Sequence, residues 1–337
     1  MAVSARDVAR VAGVSVSTVS RALARPDEVA PETLAKVLDT ARGMGYRPNL
    51  TARGLITGRT GMIGLIVPDI ENPFFASVTK GVQARARAAG YAVMIADSDE
   101  DPSQEADLVK GMARQVDGIV LCSPRSPDQV IEDLALETTL VLVNRECGTV
   151  PAVLIDNLTG IRLTLDHLRA LGHRTIAYVG GPVTSWSTRA RLAAARAIVA
   201  EHPDTELIDL GSFQPYVSGG VAAADLVIAS GATAVLACND LVAFGLLDRL
   251  KHRGVRVPDD ISVVGVDNIP MSALSSPALT SVGIPLVNCG RAGVDVLVNL
   301  IRQPGAPSTH HHDLSYQLVV RDSSGPVRQS TSLRDSA

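Results

Sequence analysis

Cysteine is scarce and unpatterned in this 337-residue chain: Cys122, Cys147, Cys238 and Cys289 are scattered, and no Cys-x-x-Cys pair occurs. That excludes the ligand spacing of a structural zinc site and a disulfide framework, and it fits a reducing compartment. The opening stretch Met1-Ala2-Val3-Ser4-Ala5-Arg6-Asp7 lacks the apolar segment of a secretory signal. No run of about eighteen apolar residues occurs anywhere. A cytoplasmic location with no membrane partner is therefore expected. Catalytic signatures are missing as well. Gly180-Gly181-Pro182 lacks the spacing of a dinucleotide fingerprint, and neither a Gly-x-Ser-x-Gly elbow nor a Walker loop is present. His310-His311-His312-Asp313 has metal-ligating residue types, but successive residues on a strand face opposite ways. An exposed strand is expected there. The expectation is no enzyme, no cofactor and no metal.

What is there begins with size. A chain this long suits two or three compact units, and 46% hydrophobic with 20% charged residues describes a globular protein with ample core. Its net charge of −4 hides an asymmetry: residues 1–60 carry +4 and the remainder −8. A basic head on an acidic body suits a module that holds a polyanion.

Residues 4–55 carry the most specific pattern. Ser4 is a good N-cap with Asp7 three residues on, and Ser15 repeats the arrangement after the tight turn Ala12-Gly13-Val14. Two short helices joined so closely meet at a steep angle, as in a helix-turn-helix. Val19 and Leu23 point inward, leaving Ser17, Thr18 and Arg21 on a small polar face that suits a major groove. A third helix starts at Pro31, with Leu34, Val37, Leu38 and Ala41 spaced to cover the first two.

From Met62 onward apolar runs alternate with helical stretches. Strands are expected at Met62–Val67, Ala92–Ala96, Gly118–Cys122, Leu140–Val143, Thr175–Val179, Glu206–Leu210, Ala234–Leu236 and Ser262–Val266. Parallel α/β layers follow from this alternation, and eight strands suit two sheets better than one. Ligands of such sheets sit beyond the carboxyl ends of the strands. The residues found there are Asp69 to Phe75, Asp97 to Asp99, Ser123, Asn144-Arg145, Gly180 to Arg191, Phe213, Asn239-Asp240 and Asp267-Asn268. Carboxylates, amides, arginines and aromatics at one mouth suit a small hydroxylated or nitrogenous ligand.

Several of these segments are shared with a known family. Val8 to Ser15 followed by Ser17-Thr18-Val19-Ser20-Arg21, then Gly45 to Asn49, Ile63 to Pro68 and Asn72-Pro73-Phe74-Phe75, closely resemble the lac repressor family of bacterial transcription regulators. The resemblance continues through Val116 to Ile119, Leu171 to Arg174, Asn239-Asp240, Gly265 to Asn268 and Leu318 to Ser323. It implies base contacts from Val16, Ser17 and Arg21 and phosphate contacts from Thr18, Ser20 and Tyr46, with Ser4 and Asn49 at the two ends of the DNA-facing set. Asn49 to Thr57 resembles a hinge helix whose Leu55 would wedge into the minor groove. Gly54 within it costs roughly 1 kcal/mol of helix propensity, so this helix is expected to fold only on DNA. Ala24 departs from the Asn usual in the family. Phe74, Phe75, Ser185, Ser187, Arg191, Phe213, Asn239 and Asp267 match effector-contacting positions, and placement at strand ends adds Asp69, Asn72, Ser123, Arg145 and Trp186.

The architecture expected is α/β: a three-helix helix-turn-helix head (1–47), a hinge helix and linker (48–60), and a two-lobed, periplasmic-binding-protein-like body with parallel sheets (61–325). Its lobes would comprise about 61–158 plus 285–312, and 159–284 plus 313–325, before a polar tail (326–337) without a leucine heptad. The function implied is a repressor acting as a homodimer on a near-palindromic double-stranded operator, controlled by a sugar or nucleobase-like effector. A periplasmic-type solute-binding protein is the alternative for the body alone. Asp240 and Asp267 also suit structural caps, Phe74 and Trp186 plain packing, and Arg191 a structural ion pair.

Overall fold

The computed structural model describes residues 3–24, 26–46, 59–303 and 316–328. Asn49, Gly54, Leu55 and His310 to Asp313 lie outside the described residues, as does the side chain of Ala24. The head consists of α1 (Ala5–Ala12), α2 (Val16–Ala24) and α3 (Pro31–Gly43). Ser4 and Asp7 form a reciprocal capping box on α1, and Gly13, at φ +64°, ends that helix in the left-handed conformation. Those hydrogen bonds from Ser4 hold the Asp7 carboxyl below its ordinary pKa. Val8, Ala9, Ala12, Val19, Ala22, Val37 and Ala41 are the buried centre, with Leu23, Leu34 and Tyr46 packed around them. Leu38 does not join it: it is 37% exposed, one position past the buried Val37.

The body has two parallel layers. Sheet 1 runs β2-β1-β3-β4-β5, from β1 (Met62–Val67), β2 (Ala92–Asp97), β3 (Ile119–Cys122), β4 (Leu140–Val143) and β5 (Ala152–Val153). Its crossover helices are α4 (Pro73–Ala89), α5 (Pro102–Met112) and α6 (Asp128–Glu137). Sheet 2 runs β11-β10-β9-β8-β6-β7. Those strands are β6 (Thr175–Gly180), β7 (Glu206–Ser212), β8 (Ala234–Ala237), β9 (Ser262–Asp267), β10 (Thr280–Gly283) and β11 (Gln317–Val319). Among the described residues only β10 and β11 pair antiparallel. Around sheet 2 lie α7 (Asn157–Ala170), α8 (Trp186–Ala200), α9 (Val217–Ala229) and α10 (Asp240–His252). All eight expected strands are present; β5, β10 and β11 are additional.

The chain changes lobe after β5, where Ile155 leads into α7, and again after β10, where Ile284 leads into α11 (Leu286–Arg302). Helix α11 packs on α4 and sheet 1, and β11 then returns to sheet 2. One buried apolar cluster passes from lobe to lobe through Ile155, Ile284 and Leu286. Beyond β11 the chain stays on the body: the Val327 N–H donates to the Leu171 carbonyl and Arg328 pairs with Asp259. Among the described residues no helix is long and apolar enough to cross a membrane.

Candidate functional site

In the head, the outer face of α2 is free to read a ligand. Val16, Ser17 and Arg21 are exposed, and no carboxylate among the described residues engages Arg21. The Ser15 hydroxyl accepts the Thr18 N–H at 3.0 Å and lies 2.7 Å from Ser17 Oγ, so this turn carries a connected row of hydroxyls. Ser20 and Tyr46 are half-buried, Tyr46 against the head's core. Ser4 spends its side chain on Asp7, 2.7 Å away.

In the body, the carboxyl ends of both sheets face each other across a narrow cleft, the place where ligands of such sheets bind. Its walls contain Asn72, Phe74, Phe75, Ser123, Ser185, Ser187, Arg191, Asn239 and Asp267. Three of these are N-caps: Asn72 accepts the Phe74 N–H, Ser185 the Thr188 N–H and Asn239 the Val242 N–H. The positive ends of α4, α8 and α10 therefore converge on the cleft and favour oxygen acceptors on a ligand. Phe74 and Phe75 make an edge-to-face pair with centroids 4.9 Å apart.

Strain collects at the same place. Among the described residues, the non-glycine residues with positive φ are Asp99, Glu100, Ser123, Asn144, Asp267 and Asn268. Each follows or closes a strand at the cleft end, of β2, β3, β4 or β9. Such conformations cost of order 1–3 kcal/mol each and persist where the surroundings enforce them.

Charge is balanced within the cleft. Arg191 is buried, donating to Asn157 Oδ1 at 2.9 Å and to the Cys238 carbonyl, with Asp267 Oδ1 3.6 Å from its Nη2. That last distance exceeds a hydrogen bond, and Asp267 Oδ1 has no donor. Burial raises the Asp267 carboxyl well above the ordinary range, against the pull of Arg191. Arg125 makes a two-pronged ion pair with Glu100 and donates to the Ser123 carbonyl at 2.8 Å. The Asn144 amide donates to Ser123 Oγ at 2.8 Å, while its Oδ1 is buried without a partner.

Four of the expected cleft residues do not line it. Arg145 is drawn the other way, onto Asp128 and the Pro124 carbonyl, and its hydrogen bond holds the Asp128 carboxyl down. Trp186 is half-buried at the first turn of α8, and Phe213 packs on the apolar centre of sheet 2. Asp69 bonds the Glu71 N–H in the β1–α4 loop. It belongs to an acidic lip with Asp97, Asp99 and Glu100; burial and then these carboxylates push the Tyr216 hydroxyl, from the other lobe, up to about 12. Asp240 is structural: it accepts from Ile269 N, Ser272 Oγ and Ser281 Oγ, and its burial raises its pKa to about 6. Glu100, Arg125, Asn144 and Thr188 line the cleft and were not among the expected contacts.

The family model for bacterial regulatory proteins of the lacI family matches residues 4–49, and that for a periplasmic binding protein-like domain matches residues 165–324. The ribose operon repressor of Halalkalibacterium halodurans is 31% identical over 94% of this chain and 96% of its own length. The chain belongs to the lacI family. This lacI-family protein is a DNA-binding transcription regulator with a two-lobed effector body, and its head separates it from a plain solute-binding component. Two solved structures are similar to it. The lac repressor dimer bound to operator and the anti-inducer ONPF has a TM-score of 0.83 at 26% identity, covering 96% of this chain and all of that one. A lacI-family regulator from Enterococcus faecium with bound ribose has 0.70 at 29%, covering 79% of this chain and all of that one.

Proposed function

We propose that this lacI-family regulator is a cytoplasmic, non-enzymatic repressor that grips a near-palindromic operator as a homodimer and is switched by a small neutral polyol of the pentose class. The observation that carries the ligand class is the pair of buried acceptors without donors, Asn144 Oδ1 in one lobe and Asp267 Oδ1 in the other. Leaving such atoms unmet costs roughly 1–3 kcal/mol apiece. A ligand with hydroxyls on two edges satisfies both and ties the lobes together. Arg125 is offset by Glu100, and Arg191 is spent on Asn157 Oδ1 and the Cys238 carbonyl, which favours an uncharged ligand, and the aromatic pair offers an apolar wall. The similar ribose-bound regulator and ribose operon repressor support D-ribose as the first candidate.

The test is calorimetry with D-ribose, other pentoses, hexoses, nucleosides and sugar phosphates, followed by titration of each binder against a duplex selected by the chain from a randomised pool. D-ribose or a near relative is expected to bind and to change duplex affinity about 5–150-fold, the usual range of such couplings. Binding confined to phosphorylated sugars, or turnover of the ligand, would overturn the reading. Duplex affinity should also fall steeply with salt, because Lys and Arg contacts release counterions from phosphate; insensitivity to salt would remove the phosphate contacts.

A further inference from the structure

We propose that Asp117 is a positioning residue: it fixes where the linker to the DNA-reading head leaves lobe 1, and thereby sets the half-site spacing that a pair of heads accepts. The proposal rests on the operator-binding, dimeric reading above. Asp117 precedes β3 and accepts from the last residues before β1. One carboxylate oxygen takes the Thr60 N–H and, at 2.9 Å, the Thr60 hydroxyl; the other takes the Gly61 N–H at 3.0 Å. Hydrogen bonds to an ionised acceptor are roughly twice as strong as neutral ones. Three converging on one side chain hold the backbone of residues 60 and 61 in place rather than merely near.

A second tie acts on the residue before. Arg59 donates to the Ile301 carbonyl at 2.8 Å, at the end of α11. The segments that carry the two anchors pack closely, because Gly118 has no side chain: a Cβ there would lie 2.8 Å from Leu297 Cδ1 of α11 and 3.0 Å from the Thr139 carbonyl. Linker, β3 and α11 thus meet at one point at the base of lobe 1.

The other ends of the same two elements reach the parts that respond to ligand. Strand β3 leads to Ser123 in the cleft, six residues or about 20 Å from Asp117, and α11 begins directly after the crossing between lobes at Ile284. A side chain that joined the linker to only one of them could not register their relative movement. Asp117 stands two residues before the first, and the linker segment it holds is tied through Arg59 to the second. Without it the head stays attached by the chain but its starting point is free to wander, and a tethered head tolerates a range of spacings that a clamped one rejects.

The experiment uses the full-length protein and the duplex it selects from a randomised pool, together with versions of that duplex whose half-sites are moved closer or apart by one and two base pairs, and a duplex carrying one half-site. Asp117→Ala removes the acceptor; Asp117→Asn keeps the shape but turns an NH₂ toward the N–H donors. The native protein is expected to lose at least tenfold in affinity on each altered spacing. Both variants are expected to bind the single half-site within twofold of native, to bind the selected duplex at least fivefold more weakly, and to discriminate among spacings less than threefold. Native-like spacing discrimination in both variants overturns the proposal. So does a uniform loss on every duplex including the single half-site, since that reports a damaged fold. If the native protein selects no duplex, it is the operator-binding reading that fails.

Discussion

A buried aspartate held at φ 111°, with one oxygen lacking a donor and its pKa driven up by its surroundings, destabilises the protein that contains it. At Asp267 these features coincide with the cleft wall, the exchange of stability for binding expected at functional sites. Asp267→Asn removes a carboxyl that burial makes costly to ionise, while keeping a side chain that tolerates positive φ. Its melting temperature should rise by a few degrees, and D-ribose affinity should drop at least tenfold by calorimetry; a variant that melts lower and binds normally would show Asp267 to be structural. Asp240 provides a test by pH. Its folded pKa of about 6 lies above the ordinary 3.8, so the folded state retains a proton that the unfolded state has released. The stability linked to this group is therefore greatest below about pH 4 and declines as pH rises through 6. Asp240→Asn does not titrate. Variant-minus-native stability, from urea denaturation at each pH, should climb by on the order of 2–3 kcal/mol between pH 4 and 7; a flat difference would contradict the assignment. Residue types at strand ends were legible in the sequence, side-chain direction was not. Arg145 and Asn144 are neighbours after the same strand, yet only Asn144 faces the cleft, because Asp128 captures the arginine. Arg125 was missed because it lies two residues beyond Ser123 and folds back over it.

Helices with strong end signals, such as α1 with its capping box, are legible in the residue order alone. Strands β5 and β11 are not, since two or three residues show no periodicity, and Thr280–Gly283 of β10 lacks the continuous apolar run that marks the four-residue strands β3, β4 and β8. Close helix contact is equally hidden. A Cβ at Gly81 of α4 would sit 2.0 Å from the Val287 carbonyl of α11, and one at Gly290 of α11 would sit 2.2 Å from the Val78 carbonyl of α4. Backbone meets backbone there, and neither carbonyl can retreat as a flexible side chain would. Gly81→Ala should therefore cost about 3 kcal/mol or more in urea denaturation, although alanine is the better helix former; a loss under about 0.5 kcal/mol would mean that the helices slide apart freely. In the head, Gly13→Ala meets only Lys36 Nζ at 3.8 Å, so its penalty is the left-handed backbone alone, about 1–2 kcal/mol. Loss of head helicity at lower temperature, with the body's melt unchanged, is the expected result.

At the scale of the molecule, alternation of apolar runs with helices revealed the layered α/β body, and the basic head was visible as a charge asymmetry. The route of the chain between lobes has a consequence for how the protein is made. Lobe 1 takes β1 to β5 from one stretch and α11 from another, and all of α7 to β10 lies between them. At roughly 5–20 residues per second, a ribosome finishes β5 on the order of ten seconds before α11 emerges. For that interval the strip of Val120, Val143, Val78 and Val82 that α11 will cover has no permanent neighbour. A chain halted between Asn157 and Leu286 would be left in that state for good, so neither lobe can be obtained by cutting the protein in the middle. The nascent chain, rather than the finished one, is therefore the form of this protein that exposes core apolar surface.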